Sequence, residues 1–218
     1  VPTPTGWTTM GNLKDNDIIF DNNGLPCKVT KAHDILYDRP CYKILFDSGE
    51  EIIAVEGHLW FTQNRSERKL NIEGSVKTTK DIFESLYMGT KKEPNHRISQ
   101  VKNGVIYERK ELPIDPYILG LWLGDGTSEC GQITVGKRDI IEIVNNIKDK
   151  QQFDNIIVTE RKYNNSYTVT PTSFLQRKTK SLRSLLRKNN LLNNKHIPPI
   201  YLFSDRNQRL ELLKGLID

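Results

Sequence analysis

The sequence predicts two domains in series, a mostly-β domain over residues 1–112 and an α+β domain over 113–218. Three observations carry this. Short β-prone runs separated by Asp, Asn and Gly turns fill residues 1–62. An apolar helical stretch, PIDPYILGLWLGDGT, opens the second half at Pro113. After it, helix and strand patterns alternate to the end of the chain.

In the first half, Ile18–Phe20 and Pro26–Thr30 flank Asp21-Asn22-Asn23-Gly24, a hairpin signal. CYKILFDSGEEIIAV repeats the pattern around Asp47-Ser48-Gly49. Cys27 and Cys41 fall in these strands and read as small core residues. Thr78–Met88 has the spacing of a short amphipathic helix, with Ile82, Phe83, Leu86 and Tyr87 on one side. Asn95–Ile98 reads as a returning strand, and Gly104–Leu112 as a charged connection.

The central helix has a defined start. Asp115 is placed to cap its free amides, Pro116 suits the first helical position, and Ile114 with Leu119 has the spacing of a hydrophobic staple. Its body, ILGLWLG, is apolar nearly all round and so predicts burial on most sides. Gly120 and Gly124 share one face. Glycine weakens a helix by about 1 kcal/mol relative to alanine, so the pair predicts a second backbone in close approach. Asp125 stands at the helix end, where the helix dipole already disfavours a carboxylate. A bound cation explains an acid there better than folding does.

Beyond it, Gln132–Val135 reads as a strand and Asp139–Lys148 as a helix. Two further strands follow over 156–162 and 166–174. Residues 177–190 form a basic amphipathic helix with Leu182, Leu185 and Leu186 inward. A last helix, capped by Ser204 or Asp205, runs to the end.

The net charge of +5 over 218 residues is uneven. Residues 1–112 hold 16 Lys+Arg and 16 Asp+Glu; residues 113–218 hold 16 and 11, so 16 − 11 = +5 lies in the second half. That bias fits phosphate neutralisation by the second half. No apolar run approaches the ~20 residues of a membrane helix, and no secretory signal opens the chain. Three cysteines show no metal-ligand spacing. A cytoplasmic protein without a membrane partner is expected.

YILGLWLGDG resembles the LAGLIDADG motif of homing endonucleases, and LLKGLID near the end resembles the start of a second copy. VPTPTGWTTMGNLKDNDIIF, GLPCKV and EEIIAVEGHLWFT resemble the Hint module of inteins. The resemblance implies a Hint-like domain followed by an α+β LAGLIDADG repeat of order αββαββα. It implies that two motif helices pack through Gly120, Gly124 and Gly215, and that Asp125 binds Mg²⁺, with the Gly124 backbone carbonyl as a second ligand. Asp218 aligns with Leu123, not with Asp125, so it is not the second metal-binding acid. Lys137, Arg138, Arg161 and Lys162 flank the strands and are expected to meet double-stranded DNA. Arg177, Lys178 and Lys180 extend that surface.

In the Hint half, His58 matches the histidine that polarises the upstream scissile amide and protonates its leaving nitrogen. Two departures are plain. Val55 stands where threonine is common, and Asn16 replaces a glycine. The family's nucleophile is expected before Val1, and the second metal-binding acid beyond Asp218. The chain thus reads as an intein fragment truncated at both ends, with flanking host-protein segments as partners of the parent. It is expected not to splice in cis and to show at most weak DNA binding or nicking. Splicing requires no cofactor. Self-association through the glycine-bearing helix is a further expectation. Two alternatives stay open: a Hint autoprocessing protein with a decayed, non-cleaving endonuclease half, and a DNA-binding protein that keeps the LAGLIDADG architecture.

Overall fold

The structure is a computed structural model that describes residues 1–89, 93–101, 103–161, 165–176 and 178–218. The first half contains β1 (Pro2–Thr3), β2 (Gly6–Trp7), β3 (Ile18–Phe20), β4 (Pro26–Lys28), β5 (Cys41–Leu45), β6 (Glu51–Val55) and β7 (Leu59–Thr62). Then come α1 (Arg65–Lys69), β8 (Ser75–Thr78), α2 (Thr79–Glu84), β9 (Tyr87–Met88) and β10 (Glu93–Pro94). The second half contains α3 (Pro116–Asp125), β11 (Ile133–Gly136), α4 (Ile140–Asp149), β12 (Asn155–Arg161), β13 (Ser166–Thr172), α5 (Leu182–Lys188), α6 (Pro199–Leu202) and α7 (Arg206–Ile217).

Contacts divide the chain into two compact units, and the division does not follow chain order. One unit joins Val1–Thr8 and Ile18–Cys27 to Gly104–Asp218; the other holds Thr9–Asp17 and Lys28–Asn103. The chain-order boundary expected at 112/113 therefore differs from the contact boundary.

The larger unit is built around α3. Asp115 accepts the amides of Tyr117 and Ile118, and Pro116 occupies the first turn. Every residue from Pro116 to Trp122 is buried, as an all-round apolar helix requires. The Tyr201 hydroxyl donates to the Ile114 carbonyl at 2.8 Å and accepts the Ile114 amide at 3.0 Å, fixing the entry to α3. Gln152 does the same from α4's end, accepting from the Asp115 amide and donating to the Pro113 carbonyl. Strands β11, β13 and β12 form an antiparallel sheet in that order. Ile133, Val135 and Val169 turn one face of it to the core with Trp122, Ile143, Ile147, Leu182 and Leu186.

The repeat αββαββα is not complete. A single strand separates α3 from α4. The place of the missing strand is marked only by a bridge, Gly126 to Ile133, and by the Thr127 amide bonding the Gln132 carbonyl at 2.8 Å. The basic helix expected over 177–190 is shorter too. Ser181 caps it through the Ser184 amide, so Lys178 and Lys180 precede the helix.

The first residues are clipped to this unit through Tyr107. Its hydroxyl donates to the Thr3 carbonyl at 3.3 Å, and its ring meets Phe20 and Phe203 edge-on at 5.2 and 5.6 Å. Arg209 lies over the same ring and donates to the Val105 carbonyl at 2.6 Å. Gln208 bonds both backbone groups of Lys110.

The smaller unit is a set of hairpins, β5–β6, β7–β8 and β9–β10. Tyr42 on β5 packs against Phe83 of α2. Cys41, expected in a core, is exposed, because it shares the outer face of β5 with Lys43 and Leu45. The helix expected over Thr78–Met88 stops at Glu84, and Tyr87–Met88 pairs with Glu93–Pro94 instead. The expected strand Asn95–Ile98 is reduced to a bridge between Gln63 and Arg97.

His96 supplies a pH-sensitive joint in this unit. Its Nδ1 faces the Thr62 hydroxyl at 3.3 Å and its Nε2 the Ser85 hydroxyl at 2.9 Å. The Ser85 hydroxyl also donates to the Asp81 carbonyl, and the Thr62 hydroxyl to the Arg97 carbonyl at 3.2 Å, so the ring lies between two hydroxyls tied to backbone. Burial, then the Lys77 charge, holds its pKa below the ordinary 6.5. A proton therefore binds the unfolded chain more readily than the folded one. The stabilisation is whole above about 6.5 and is lost as pH falls through the folded-state value. Urea midpoints of this unit should drop between pH 7 and 5, and His96→Gln should flatten that dependence.

Candidate functional site

α3 and α7 cross in glycine-to-backbone contact. A Cβ on Gly120 would sit 2.3 Å from the Leu212 carbonyl oxygen and 2.9 Å from the Gly215 carbonyl carbon. One on Gly215 would sit 2.1 Å from the Tyr117 oxygen. Gly124 is looser, 3.2 Å from the Leu216 oxygen. The glycine face of α3 is thus occupied by α7 of the same chain.

Asp125 ends α3 and is exposed, as is Gly124. Among the described residues Asp125 forms no ion pair within 4.0 Å. Lys195, which the sequence reading did not single out, lies beside it. Its ammonium donates to the Leu123 carbonyl at 3.1 Å and the Gly126 carbonyl at 2.6 Å, on either side of Gly124–Asp125. It therefore satisfies carbonyls that a helix end leaves open and opposes the dipole there. It also sits over the Trp122 ring at 5.1 Å. Burial lowers the Lys195 pKa below its ordinary value, and the Asp125 charge works against that shift.

The turn after Asp125 is fixed by Trp122. Its indole Nε1–H donates to the Thr127 and Cys130 carbonyls at 3.2 and 2.7 Å. At the other end of the seam, the Tyr117 hydroxyl donates to Asp218 at 3.0 Å and accepts from Asn146. Burial pushes the Tyr117 phenol up to about 12. Asp218 is therefore bonded to the first turn of α3, whereas Asp125 lies a further ~12 Å of helix rise along.

For magnesium, the available donors are the exposed Asp125 carboxylate and the Gly124 carbonyl. Among the described residues no group of three His, Cys, Asp or Glu could hold a metal ion. One carboxylate suits Mg²⁺ only where the ion keeps waters and takes substrate phosphate oxygens, which is its usual habit.

The face of the sheet opposite the core carries Thr134, Thr159, Thr168, Thr170 and Arg161, whose Nε donates to the Thr168 hydroxyl at 2.8 Å. Lys137 and Arg138 are exposed at the same end as Arg161, where the Lys137 amide bonds the Asn165 carbonyl. Lys178 and Lys180 are exposed beyond the opposite end of β13. Seven strand residues separate these groups, roughly 20 Å, or about six base-pair steps of DNA. Lys162 and Arg177 lie outside the described residues. A charge signal runs through this whole region: from Arg161 to Ser204 there are nine Lys or Arg and no Asp or Glu. Lys195 belongs to that run, and the run is the sequence feature through which it could have been found.

His58 is exposed in the turn between β6 and β7. Its backbone is fixed, with the carbonyl accepting the Thr79 amide at 2.9 Å and the amide bonding the Val55 carbonyl. Its ring stands edge-on to Trp60 at 4.7 Å, and Trp60 donates to the Thr79 hydroxyl. Among the described residues the imidazole makes no hydrogen bond, so it is open to a substrate group.

No family model matches the chain. Over its whole length it is 32% identical to the replicative DNA helicase DnaB of Mycobacterium intracellulare, of which it spans 36%. It is 40% identical over 62 residues to the replicative DNA helicase DnaB of Mycobacterium leprae (strain TN), spanning 10% of that protein. Two crystal structures of the MchDnaB-1 intein share 33% and 31% sequence identity with it. They cover 45% and 43% of this chain and are themselves covered to 62% and 61%, with TM-scores of 0.32 and 0.30. No helix among the described residues is long and apolar enough to cross a membrane.

Proposed function

We propose that this chain is part of an intein set within a DnaB helicase, and that it joins a protein-splicing Hint module to a DNA-cleaving LAGLIDADG half. The sequence likeness to DnaB chains and to a DnaB intein supports the first part. The glycine-to-glycine crossing of α3 and α7, which leaves Asp125 exposed beside Lys195, carries the second.

In the splicing half, the open imidazole of His58 polarises the upstream amide. As a junction Cys or Ser side chain attacks the carbonyl carbon and the C–N bond breaks, the departing nitrogen takes a proton from His58, replaced by the one the nucleophile loses. Trp60 and Thr79 keep ring and backbone in place. In the DNA half, Asp125 and the Gly124 carbonyl would hold Mg²⁺, which would supply an activated water and charge neutralisation for phosphodiester hydrolysis. Lys195 orients the end of α3 and adds positive charge towards the phosphate. Arg161 and the threonine hydroxyls meet base edges, and Lys137, Arg138, Lys178 and Lys180 meet phosphates.

Duplex binding tests the DNA half directly. With those four cations on phosphates, log K should fall with log salt at a slope of about −3.6. Lys178→Gln and Lys180→Gln should each reduce that slope by about 1. Affinity indifferent to salt would contradict the reading.

A further inference from the structure

We infer that Phe174 and Leu175 form an apolar wedge that enters the base stack of duplex DNA. The inference rests on the DNA-binding reading above and adds a mode of contact to it.

β13 ends at Thr172, and the turn that follows is braced by one carboxylate. Asp154 accepts the Ser173 hydroxyl at 3.0 Å and the Phe174 amide at 2.8 Å. The Ser173 oxygen in turn accepts the Gln176 amide at 3.2 Å. The Gln176 carbonyl accepts the amides of Thr179 and Lys180 at 3.0 and 2.8 Å. Ser173 is 4% exposed, yet Phe174 is 72% and Leu175 87% exposed. A pinned backbone thus holds two large apolar side chains out into water, where they add nothing to the core.

Charge selects the occupant. Lys178 and Lys180 stand exposed on the same turn, within the acid-free run from Arg161 to Ser204. Both oxygens of Asp154 are engaged by Ser173 and Phe174, so its charge faces the turn. A polyanion with an apolar stacked interior fits an aromatic–aliphatic tip beside lysines. Apolar wedges of this kind part a base step and kink the duplex by roughly 20–90°, while flanking cations hold the phosphates. The tip lies beyond the Thr172 end of the sheet, so the kink would fall at one edge of the footprint.

End-to-end energy transfer on a random-sequence duplex tests this with the chain as it stands. About 40 base pairs is short against the ~150 of the persistence length, so free duplex is nearly straight. The native chain should shorten the end-to-end distance. Phe174→Ser/Leu175→Ser should restore the free-duplex distance, with affinity within about threefold and the salt slope unchanged. Lys178→Gln/Lys180→Gln should weaken binding and lower the slope. Equal shortening by the apolar double variant, or binding without shortening by the native chain, would overturn the wedge and leave DNA binding standing. No binding by the native chain would overturn the DNA reading and the wedge together. Loss of self-association in the apolar variant, with bending retained, would assign the pair to a contact between copies instead.

Discussion

Gly215→Ala is expected to lower the thermal midpoint of the α3–α7 unit by roughly 10 °C, from a loss of about 3 kcal/mol. The added methyl would lie 2.1 Å from the Tyr117 carbonyl oxygen and 2.9 Å from the Leu121 amide nitrogen. Both are helical backbone atoms, so no side-chain rotation relieves the clash and the helices must part. Alanine's better helix propensity returns only about 1 kcal/mol. Gly120→Ala meets the Leu212 oxygen at 2.3 Å and should cost nearly as much. Gly124→Ala meets the Leu216 oxygen at 3.2 Å and should be close to neutral. Calorimetry on the three variants checks the order, and equal midpoints for all three would show that the crossing is not tight.

Asp125→Asn is expected to abolish Mg²⁺-dependent cutting, by roughly 10³-fold, with duplex binding retained or tighter. Asparagine keeps the shape but cannot neutralise a divalent ion. Removing a negative charge also lessens repulsion of phosphates. Because Asp125 is exposed and forms no ion pair among the described residues, the fold should not suffer. Its carboxylate sits at a helix C-terminus, an unfavourable place, so the midpoint should hold or rise slightly. Nicking of supercoiled plasmid reads the effect. Cutting that survives the substitution removes Asp125 from the chemistry. Absence of cutting from both proteins, with binding intact, supports the decayed alternative.

Local signals made much of the second half legible. Asp115 and Pro116 mark the start of α3, and Asp205 that of α7, because capping is decided within one turn. Gly120 and Gly124 announce a close backbone, though only coordinates say which one. Lys195 is legible only as one of nine cations in the acid-free run, not as a member of the site. It reaches the end of α3 from 72 residues beyond Leu123, and no spacing rule spans such a distance. The ends of α2 and α5 were overestimated because amphipathic spacing continues past the true stops. Tertiary pairing takes Tyr87–Met88 into a strand, and Ser181 starts α5 late. Cys41 was misread because alternation fixes which residues share a face but not which face is inward.

The Tyr107 clip has a consequence for biosynthesis. Thr3 and Tyr107 are 104 positions apart, and Val105 and Arg209 are again 104 apart. At about 5–20 residues per second, the Thr3 segment waits roughly 5–20 s for the Tyr107 ring and as long again for the arginine that covers it. Two successive long closures, each costing chain entropy, must precede any reward from the last helix. The Thr3 segment is therefore among the last parts of this unit to settle, and a ribosome stalled before residue 209 would leave it undocked.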